Sequence, residues 1–198
     1  MPHPPTVGLI LAGGRSTRMG GRDKALAPLA GRPLLAHLIE RLGPQVDRLA
    51  LSSNADPAQF AAFGLPVIAD VLTGFQGPVA GIHAGLARYP DDFVVAVAVD
   101  LPLLPTDLIG RLHAALDTSE CAYASDGKHH ALAILFRPGM AEVVHAYLTR
   151  GGRNLRDFLG RHGVPAVFDR PSDRGLFMNL NTPEALARAE QELASGGR

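Results

Sequence analysis

Short apolar runs alternate along the chain with segments whose apolar residues recur every three or four positions. The runs predict buried strands and lie at residues 7–11, 48–52, 66–69 and 93–99. The predicted helices lie at residues 33–42, 56–62, 79–89 and 105–116. A strand followed by a helix, repeated in this way, predicts a parallel sheet with helices on both faces.

The alternation changes after residue 118. Residues 121–125 and 132–136 flank Asp126-Gly127, a dipeptide typical of hairpin turns, so one antiparallel strand is predicted to join the sheet. The remaining elements are a helix at 140–147, a short helix ending at 160, a strand at 164–168 and a final helix after Thr182. The pattern as a whole predicts a three-layer α/β/α sandwich with a mostly parallel sheet and one antiparallel strand.

Composition narrows the class of protein. A chain of 198 residues fits a single domain, 1–198, and its 19 basic and 19 acidic side chains balance, which argues against a nucleic-acid partner. The single cysteine, Cys121, excludes an internal disulfide and lies in an apolar run, so we expect it in the core. No apolar stretch approaches membrane-spanning length and no signal peptide is recognisable, so we expect no membrane contact and a cytoplasmic protein.

A glycine-rich basic loop, residues 11–24, follows the first predicted strand. Gly13 and Gly14 let the backbone approach a ligand closely, while Arg18 and Lys24 supply positive charge. Glycine and arginine alone favour a flexible surface turn. The position after the first strand of an α/β pattern instead favours a polyphosphate ligand.

Two familiar phosphate loops do not fit this stretch. A P-loop needs Ser or Thr directly after its lysine, whereas Ala25 follows Lys24. A dinucleotide fingerprint needs G-x-G-x-x-G opening a helix, and Gly13-Gly14-Arg15 breaks that spacing.

Polar residues follow the other predicted parallel strands. The second strand ends at Ser52 with Asn54 close behind, the third ends at Asp70, and the strand at 93–99 ends at Asp100. Because ligands of open α/β sheets bind beyond the carboxyl ends of the strands, these side chains are expected to surround one ligand.

Asp100 is the predicted metal ligand, since a carboxylate beside substrate phosphates suits Mg²⁺. The alternative for Asp100 is a turn-capping aspartate, and Asp70 has a similar alternative as a plain strand terminus. Asn54 could present its amide to a base or sugar or could simply begin a turn. Asn179 and Asn181 would lie on one side of an extended stretch, although Asn181 could equally be a turn residue before the last helix.

Three arginines, Arg150, Arg153 and Arg156, lie between two predicted helices. Such spacing commonly marks a solvated face. Gly151-Gly152 within the segment favours a pliable turn with close backbone approach, so we consider it a candidate for binding an anionic second substrate.

The ordered motif L-A-G-G-x-S-x-R-M-G-x-x-x-K at residues 11–24 resembles the signature loop of nucleotidyltransferases with a Rossmann-like fold. Within that superfamily, the chain resembles the molybdenum cofactor guanylyltransferases over essentially its whole length. The resemblance implies a magnesium-dependent transfer of GMP from GTP to molybdenum-molybdopterin, with release of pyrophosphate. It also implies a cytoplasmic monomer, transient contact with molybdoenzyme maturation proteins, and a set of GTP-binding residues. Those residues are Leu11, Ala12, Gly13, Gly14, Lys24, Asp70 and Asp100, with Asp100 holding the metal and with Lys24 and Arg18 neutralising phosphate charge.

One departure concerns Ser52, where the family often has asparagine; Ser52 or Asn54 would then make the strand-two nucleotide contact. Residues 1–117 are expected to bind the nucleotide and 118–198 the pterin. Alternatives are cytidylyl transfer to molybdopterin, transfer to a sugar phosphate, and a non-catalytic nucleotide-binding module. Gly13 favours a purine over the alanine that cytidylyl relatives tend to have there, because the missing Cβ leaves more room.

Overall fold

Seven strands form one sheet in the computed structural model, which describes residues 4–12, 23–71, 77–127, 130–180 and 182–194. The described strands are β1 (Thr6–Leu11), β2 (Pro28–Leu29), β3 (Arg32–Pro33), β4 (Arg48–Ser52), β5 (Val67–Ile68), β6 (Phe93–Ala98), β7 (Cys121–Ser125), β8 (His130–Phe136) and β9 (Gly163–Val167). The strand order is β5-β4-β1-β6-β8-β7-β9. Each neighbouring pair is parallel except those involving β8, which runs antiparallel to both β6 and β7.

Helices cover both faces of this sheet. They are α1 (Leu34–Leu42), α2 (Pro78–Arg88), α3 (Leu108–Leu116), α4 (Ala141–Thr149), α5 (Leu155–His162) and α6 (Pro183–Ala194). One apolar cluster joins α1, α3 and α6 to one face, and a second joins α2, α4 and α5 to the other. The predicted three-layer α/β/α sandwich with one antiparallel strand is therefore confirmed.

The central strand β6 shows why an uninterrupted apolar run forms here. It pairs with β1 on one side and β8 on the other, and side chains of both helical layers cover its two faces. Val94, Val95 and Val97 are completely buried. A strand covered on both faces has no position at which a polar side chain would reach water.

Helix α2 lies unusually close to the sheet because two glycines face it. A Cβ at Gly85 would lie 2.2 Å from Leu9 Cδ2, and one at Gly81 would lie 2.5 Å from Ser52 Oγ. Gly77, at φ +124°, caps the start of α2 in a backbone conformation that side chains rarely adopt. Since α2 follows β5, this packing places its first turn at the carboxyl ends of β4 and β5.

Several local features differ from the prediction. Pro33 belongs to β3, which pairs with β2 in a small hairpin, so α1 begins one residue later than predicted. The helix predicted from residue 105 or 106 begins at Leu108, because residues 106 and 107 form a turn. The short helix predicted at 56–62 is present as a 3₁₀ helix, Pro57–Phe63. Three further 3₁₀ helices, which apolar periodicity does not reveal, lie at Lys24–Leu26, Gly43–Gln45 and Pro171–Asp173 in the described residues.

Cys121 is a core residue, as predicted. It is completely buried in β7, and burial raises the pKa of its thiol to about 12. Among the helices that the structure describes, none is both long and apolar enough to cross a membrane.

Candidate active site

The carboxyl ends of β5, β4, β1 and β6 lie side by side and bring the predicted polar residues to one edge of the sheet. Ser52 ends β4, Asp70 follows β5 by two residues, and Asp100 follows β6 by two residues. The predictions for Gly13, Gly14, Arg18 and Asn181 fall outside the residues that the structure describes.

Lys24 and Asp100 form an ion pair at this edge. Lys24 Nζ donates to Asp100 Oδ2 over 2.8 Å, and the two side chains are only 24% and 17% exposed. The motif's lysine and the aspartate after β6 therefore meet although 76 residues separate them. Partial burial of both charges strengthens their attraction relative to a pair in open water.

Lys24 is placed by a cap that sequence reasoning missed. Asp23 precedes the 3₁₀ helix Lys24–Leu26, and its side chain accepts a hydrogen bond from Ala25 N over 2.9 Å. Ala25 is completely buried, which anchors this turn to the core. The available signal was the preference of aspartate for the position that caps a helix.

The start of the glycine-rich loop is held by main-chain hydrogen bonds to both neighbouring strands. Ala12 N donates to Ser52 O over 3.0 Å, and Val99 N donates to Leu11 O over 3.1 Å. Leu11 and Ala12 are buried, and these two bonds hold their main chain in place where β1 ends. This frame fixes where the loop leaves the sheet.

Asn54 and Asp70 form a second pair at the edge. Asn54 Nδ2 donates to Asp70 Oδ2 over 2.9 Å, and Asn54 Oδ1 accepts from Asp70 N over 2.8 Å. The side chain of Ser52, in contrast, is 3% exposed and lies beneath Gly81 of α2. Of the two residues considered for a nucleotide contact, Asn54 is thus the one that faces solvent.

The two pairs lie at opposite ends of a row of four strands. Asp70 follows β5 and Asp100 follows β6, with β4 and β1 between them. At the usual spacing of neighbouring strands, these positions are about 14 Å apart. An extended ligand lying across the strand ends would reach both pairs and would pass the loop after β1 on its way.

The donor chemistry at Asp100 fits a hard divalent cation. A carboxylate oxygen is a preferred ligand of Mg²⁺. The ion pair with Lys24 shows that the Asp100 carboxylate is oriented toward a positive charge. Within the described residues, no group of three or more His, Cys, Asp or Glu side chains could hold a metal alone. The arrangement therefore suits a metal that is bound jointly by one carboxylate and by phosphates of a substrate.

The stretch that contains Asn179 lies next to Asp100. Leu180 N donates to Asp100 O over 3.2 Å, and Leu180 is buried while Asn179 is exposed. Thr182 Oγ1 accepts from Ala185 N over 3.2 Å, which confirms Thr182 as the predicted N-cap of α6.

The arginine segment, residues 150–156, joins α4 to α5 in the helical layer that also contains α2. Because β8 ends and β9 begins at the edge opposite Asp70 and Asp100, α4 leads away from that opposite edge and α5 leads back to it. The side chains of Arg150, Arg153 and Arg156 are exposed in this segment.

The segment is not the pliable turn that we expected. Gly152 packs against Tyr147, where a Cβ would lie 2.5 Å from the ring, so its close backbone approach serves packing. The Tyr147 hydroxyl donates to Asn154 O over 2.7 Å, and the Asn154 side chain accepts from Arg156 N over 3.0 Å. Arg153 Nη1 donates to Leu148 O and Gly152 O, at the end of α4.

A mostly parallel sheet, a glycine-rich loop after its first strand and a lysine–aspartate pair at the strand ends define a class of nucleotide-handling α/β enzymes. Comparison with known proteins gives the particular family. The MobA-like NTP transferase domain family matches residues 8–182, and the chain therefore belongs to that family.

Curated relatives align with almost the whole chain. A molybdenum cofactor guanylyltransferase of Rhodopseudomonas palustris (strain BisB5) is 44% identical, with 96% of this chain and 94% of that protein aligned. One of Cereibacter sphaeroides is 45% identical, with 94% of this chain and 96% of that protein aligned. The expected family resemblance is therefore confirmed, and the chain is an NTP transferase.

Solved structures share the fold. Molybdopterin-guanine dinucleotide biosynthesis protein A from Archaeoglobus fulgidus has a TM-score of 0.76 at 22% identity, covering 96% of this chain and 99% of that one. A nucleotidyl transferase from Methanothermobacter thermautotroptrophicus has a TM-score of 0.73 at 19% identity, covering 96% and 98%.

Proposed function

We propose that this protein transfers GMP from GTP to the terminal phosphate of molybdenum-molybdopterin, which yields the guanine dinucleotide cofactor and pyrophosphate. The observation that carries the proposal is the Lys24–Asp100 pair at the strand ends of a chain whose relatives, at 42–45% identity, are molybdenum cofactor guanylyltransferases. We call the part of this sheet edge at Asp70 the Asp70 end and the part at Asp100 the Asp100 end.

The triphosphate belongs at the Asp100 end and the nucleoside at the Asp70 end. Lys24 supplies the positive charge that phosphates require, and Asp100 supplies a carboxylate for Mg²⁺. Asp70 offers acceptor oxygens, which suit the N–H groups of guanine or the hydroxyls of ribose. The main chain of Leu11 and Ala12, at the end of β1, lies between the two ends.

In the reaction, an oxygen of the pterin's terminal phosphate forms a bond to the α-phosphorus of GTP. The bond from that phosphorus to the bridging oxygen breaks, and pyrophosphate leaves with the bonding electron pair. Mg²⁺ bound by Asp100 would supply charge neutralisation to the phosphate oxygens. Lys24 and Arg18 hold the triphosphate, so the protein contributes chiefly positioning and electrostatic stabilisation.

The pterin would bind on the side of residues 118–198. Arg150 and Arg156 are exposed in the arginine segment, and Asn179 directly precedes Leu180, whose N–H donates to Asp100 O. Arg153 would contribute mainly by holding the turn, because its guanidinium donates to two backbone carbonyls. Asn181 belongs to this proposed acceptor site through its place after Leu180.

Nucleotide choice and turnover test this proposal together. The purified chain is incubated with molybdopterin, Mg²⁺ and each nucleoside triphosphate in turn, and pyrophosphate release is measured. We expect release with GTP and much slower release with CTP. Faster release with CTP would show that the enzyme transfers a cytidylyl group. Release that requires a sugar phosphate as the acceptor would show that molybdopterin is not the substrate. Binding without release would indicate a nucleotide-binding module.

We further propose that the protein acts as a monomer in the cytoplasm and contacts molybdoenzyme maturation proteins only transiently. The seven-stranded sheet with helices on both faces encloses the apolar core of the described residues. Size-exclusion chromatography with light scattering, at micromolar concentration, tests the oligomeric state.

A further inference from the structure

Asp70 stands at a weakly supported end of the sheet. It follows β5, which has two residues, Val67–Ile68, and pairs with β4 at the edge of the seven-stranded sheet. Val71, directly after it, is 65% exposed. A partly exposed carboxylate at the end of such a short edge strand needs another contact to keep one orientation.

Asn54 supplies that contact with both ends of its amide. Its oxygen accepts from Asp70 N over 2.8 Å, and its nitrogen donates to Asp70 Oδ2 over 2.9 Å. The first bond fixes the backbone of Asp70, and the second fixes the carboxylate that this backbone carries. Together they hold Asp70 Oδ2 toward the β4 side and leave Oδ1 for another donor.

Asn54 is itself held in place by the residue before it. Ser53 is 4% exposed, its Oγ accepts from Ala55 N over 3.1 Å, and its N donates to Ile68 O over 3.0 Å. The turn after β4 is therefore fixed on both sides of Asn54, and one of its anchors is β5 itself. The two bonds to Asp70 use one of the two N–H donors of the amide and one lone pair of its oxygen, so they fix the orientation in which Asn54 faces Asp70.

We infer that Asn54 is a positioning residue: it orients the Asp70 carboxylate for the nucleoside and does not itself recognise the nucleotide. This inference rests on the proposed binding of GTP at the Asp70 end. In the turn after β4, Ser53 fixes the backbone and Asn54 fixes the orientation of Asp70.

A double-mutant cycle on GTP binding tests this role. The affinity of the full chain for GTP with Mg²⁺ is measured by calorimetry for wild type, Asn54→Ala, Asp70→Ala and the double variant. We expect Asn54→Ala to weaken binding about 3- to 10-fold, the range of a lost hydrogen bond. The double variant should bind as weakly as Asp70→Ala alone, because Asn54 then has no carboxylate to orient. In turnover, KM for GTP should rise while kcat changes little.

The pH dependence of GTP affinity in Asn54→Asp distinguishes a positioning role from a purely structural one. This substitution keeps the acceptor for Asp70 N but places a second carboxylate 2.9 Å from Asp70 Oδ2 in place of the donor. Like charges at that distance favour a shared proton, so GTP affinity should recover, relative to wild type at each pH, as the pH falls from 8 to 5.5. Asp56→Asn is the matched control, since it changes a charge in the same turn but retains the cap on Ala58 N.

Independent, additive losses in the cycle would overturn the inference and make Asn54 a direct nucleotide contact. A lower melting temperature with unchanged GTP affinity would also overturn it and leave a structural tie between β4 and β5. Binding is measured without pterin, so a chain that binds GTP but transfers nothing would refute the proposed reaction while the cycle still decides the role of Asn54.

Discussion

At the scale of single residues, the proposed chemistry at the carboxyl ends of the strands depends on two opposite charges that face each other. Lys24 and Asp100 are each partly buried and 2.8 Å apart, so each stabilises the other until phosphate and metal arrive. We propose that GTP with its metal replaces this pair by two new ones, in which Lys24 contacts phosphate and Asp100 contacts the cation. Substitution of either residue should therefore impair turnover for a different reason.

Lys24→Ala removes a charge-assisted contact to the triphosphate, worth about 1.5–3 kcal/mol. We expect kcat/KM for GTP to fall roughly 10- to 100-fold, since about 1.4 kcal/mol corresponds to a factor of ten. Steady-state pyrophosphate release measures the change. Arg32→Ala is the control: it removes a positive charge from the exposed Arg32–Glu40 pair and should leave kcat/KM unchanged. Near-normal turnover of Lys24→Gln would show that the lysine charge is dispensable.

Asp100→Asn preserves the shape of the side chain but removes the charge that a cation requires. We expect turnover to fall at least about 100-fold, because metal-assisted charge stabilisation is worth several kcal/mol. Binding of Mn²⁺ in the presence of GTP, followed by electron paramagnetic resonance, should weaken in parallel. Asp92→Asn is the matched control, since Asp92 is a similarly shielded aspartate just before the other end of β6. Wild-type rates for Asp100→Asn would refute the metal assignment.

At the scale of elements, the accuracy of the prediction followed the strength of the apolar pattern. Strands β4 and β7 were predicted to the residue. Strand β6 was predicted to within one residue, because a strand buried on both faces leaves an unbroken apolar run. The β2–β3 hairpin was missed because two-residue strands carry no period. The Asp23 cap was missed because a 3₁₀ turn of three residues is too short to show an apolar face.

The close contact between α2 and β1 was also beyond sequence reasoning, and it gives a prediction. Gly85→Ala would place a Cβ 2.2 Å from Leu9, which is completely buried and cannot swing into solvent. We expect a loss of about 1–3 kcal/mol in the free energy of unfolding, the usual cost of overpacking a core.

Gly110→Ala is the matched control for this prediction. Gly110 is an exposed helical glycine in α3, and in the described part of the chain no atom outside the local helix backbone lies within 4 Å of the position that an added methyl group would occupy. The same substitution should therefore stabilise the protein there by about 0.4–1 kcal/mol. Urea denaturation of both variants measures the two effects. Equal effects on stability would mean that α2 does not approach the sheet as closely as described.

At the scale of the whole molecule, topology made the candidate site predictable while its contacts were not. The carboxyl ends of parallel strands meet at one edge, so Asp70 and Asp100 could be assigned to the same face of the sheet from the sequence. The sequence did not predict which side chains form pairs, because Lys24 and Asp100 are 76 positions apart and Asn54 and Asp70 are 16 apart. Such partners are set by how loops and helices pack, which apolar periodicity does not encode.

The layer formed by α2 and α4 contains a buried histidine that should make global stability depend on pH. His83 in α2 is 7% exposed, its ring lies 5.3 Å from that of His145 in α4, and its Nδ1 has no hydrogen-bond partner within the part of the chain that the structure describes. Burial, with a smaller contribution from the neighbouring His145, lowers the pKa of His83 below its ordinary value of 6.5, while Glu142 acts in the opposite direction.

Because the folded pKa of His83 is lowered, the unfolded chain takes up a proton before the folded chain does as the pH falls below about 6.5. The free energy of unfolding should therefore be highest above that pH and should decrease below it, by at most about 1.4 kcal/mol per pH unit for this one proton. His83→Leu removes the titrating group, so urea denaturation between pH 7.5 and 5.5 should give a shallower pH dependence than wild type. Both proteins are also compared at pH 7.5, where His83 is neutral in either state and the difference reports packing alone. Equal pH dependence in the two proteins would show that His83 does not couple protonation to folding.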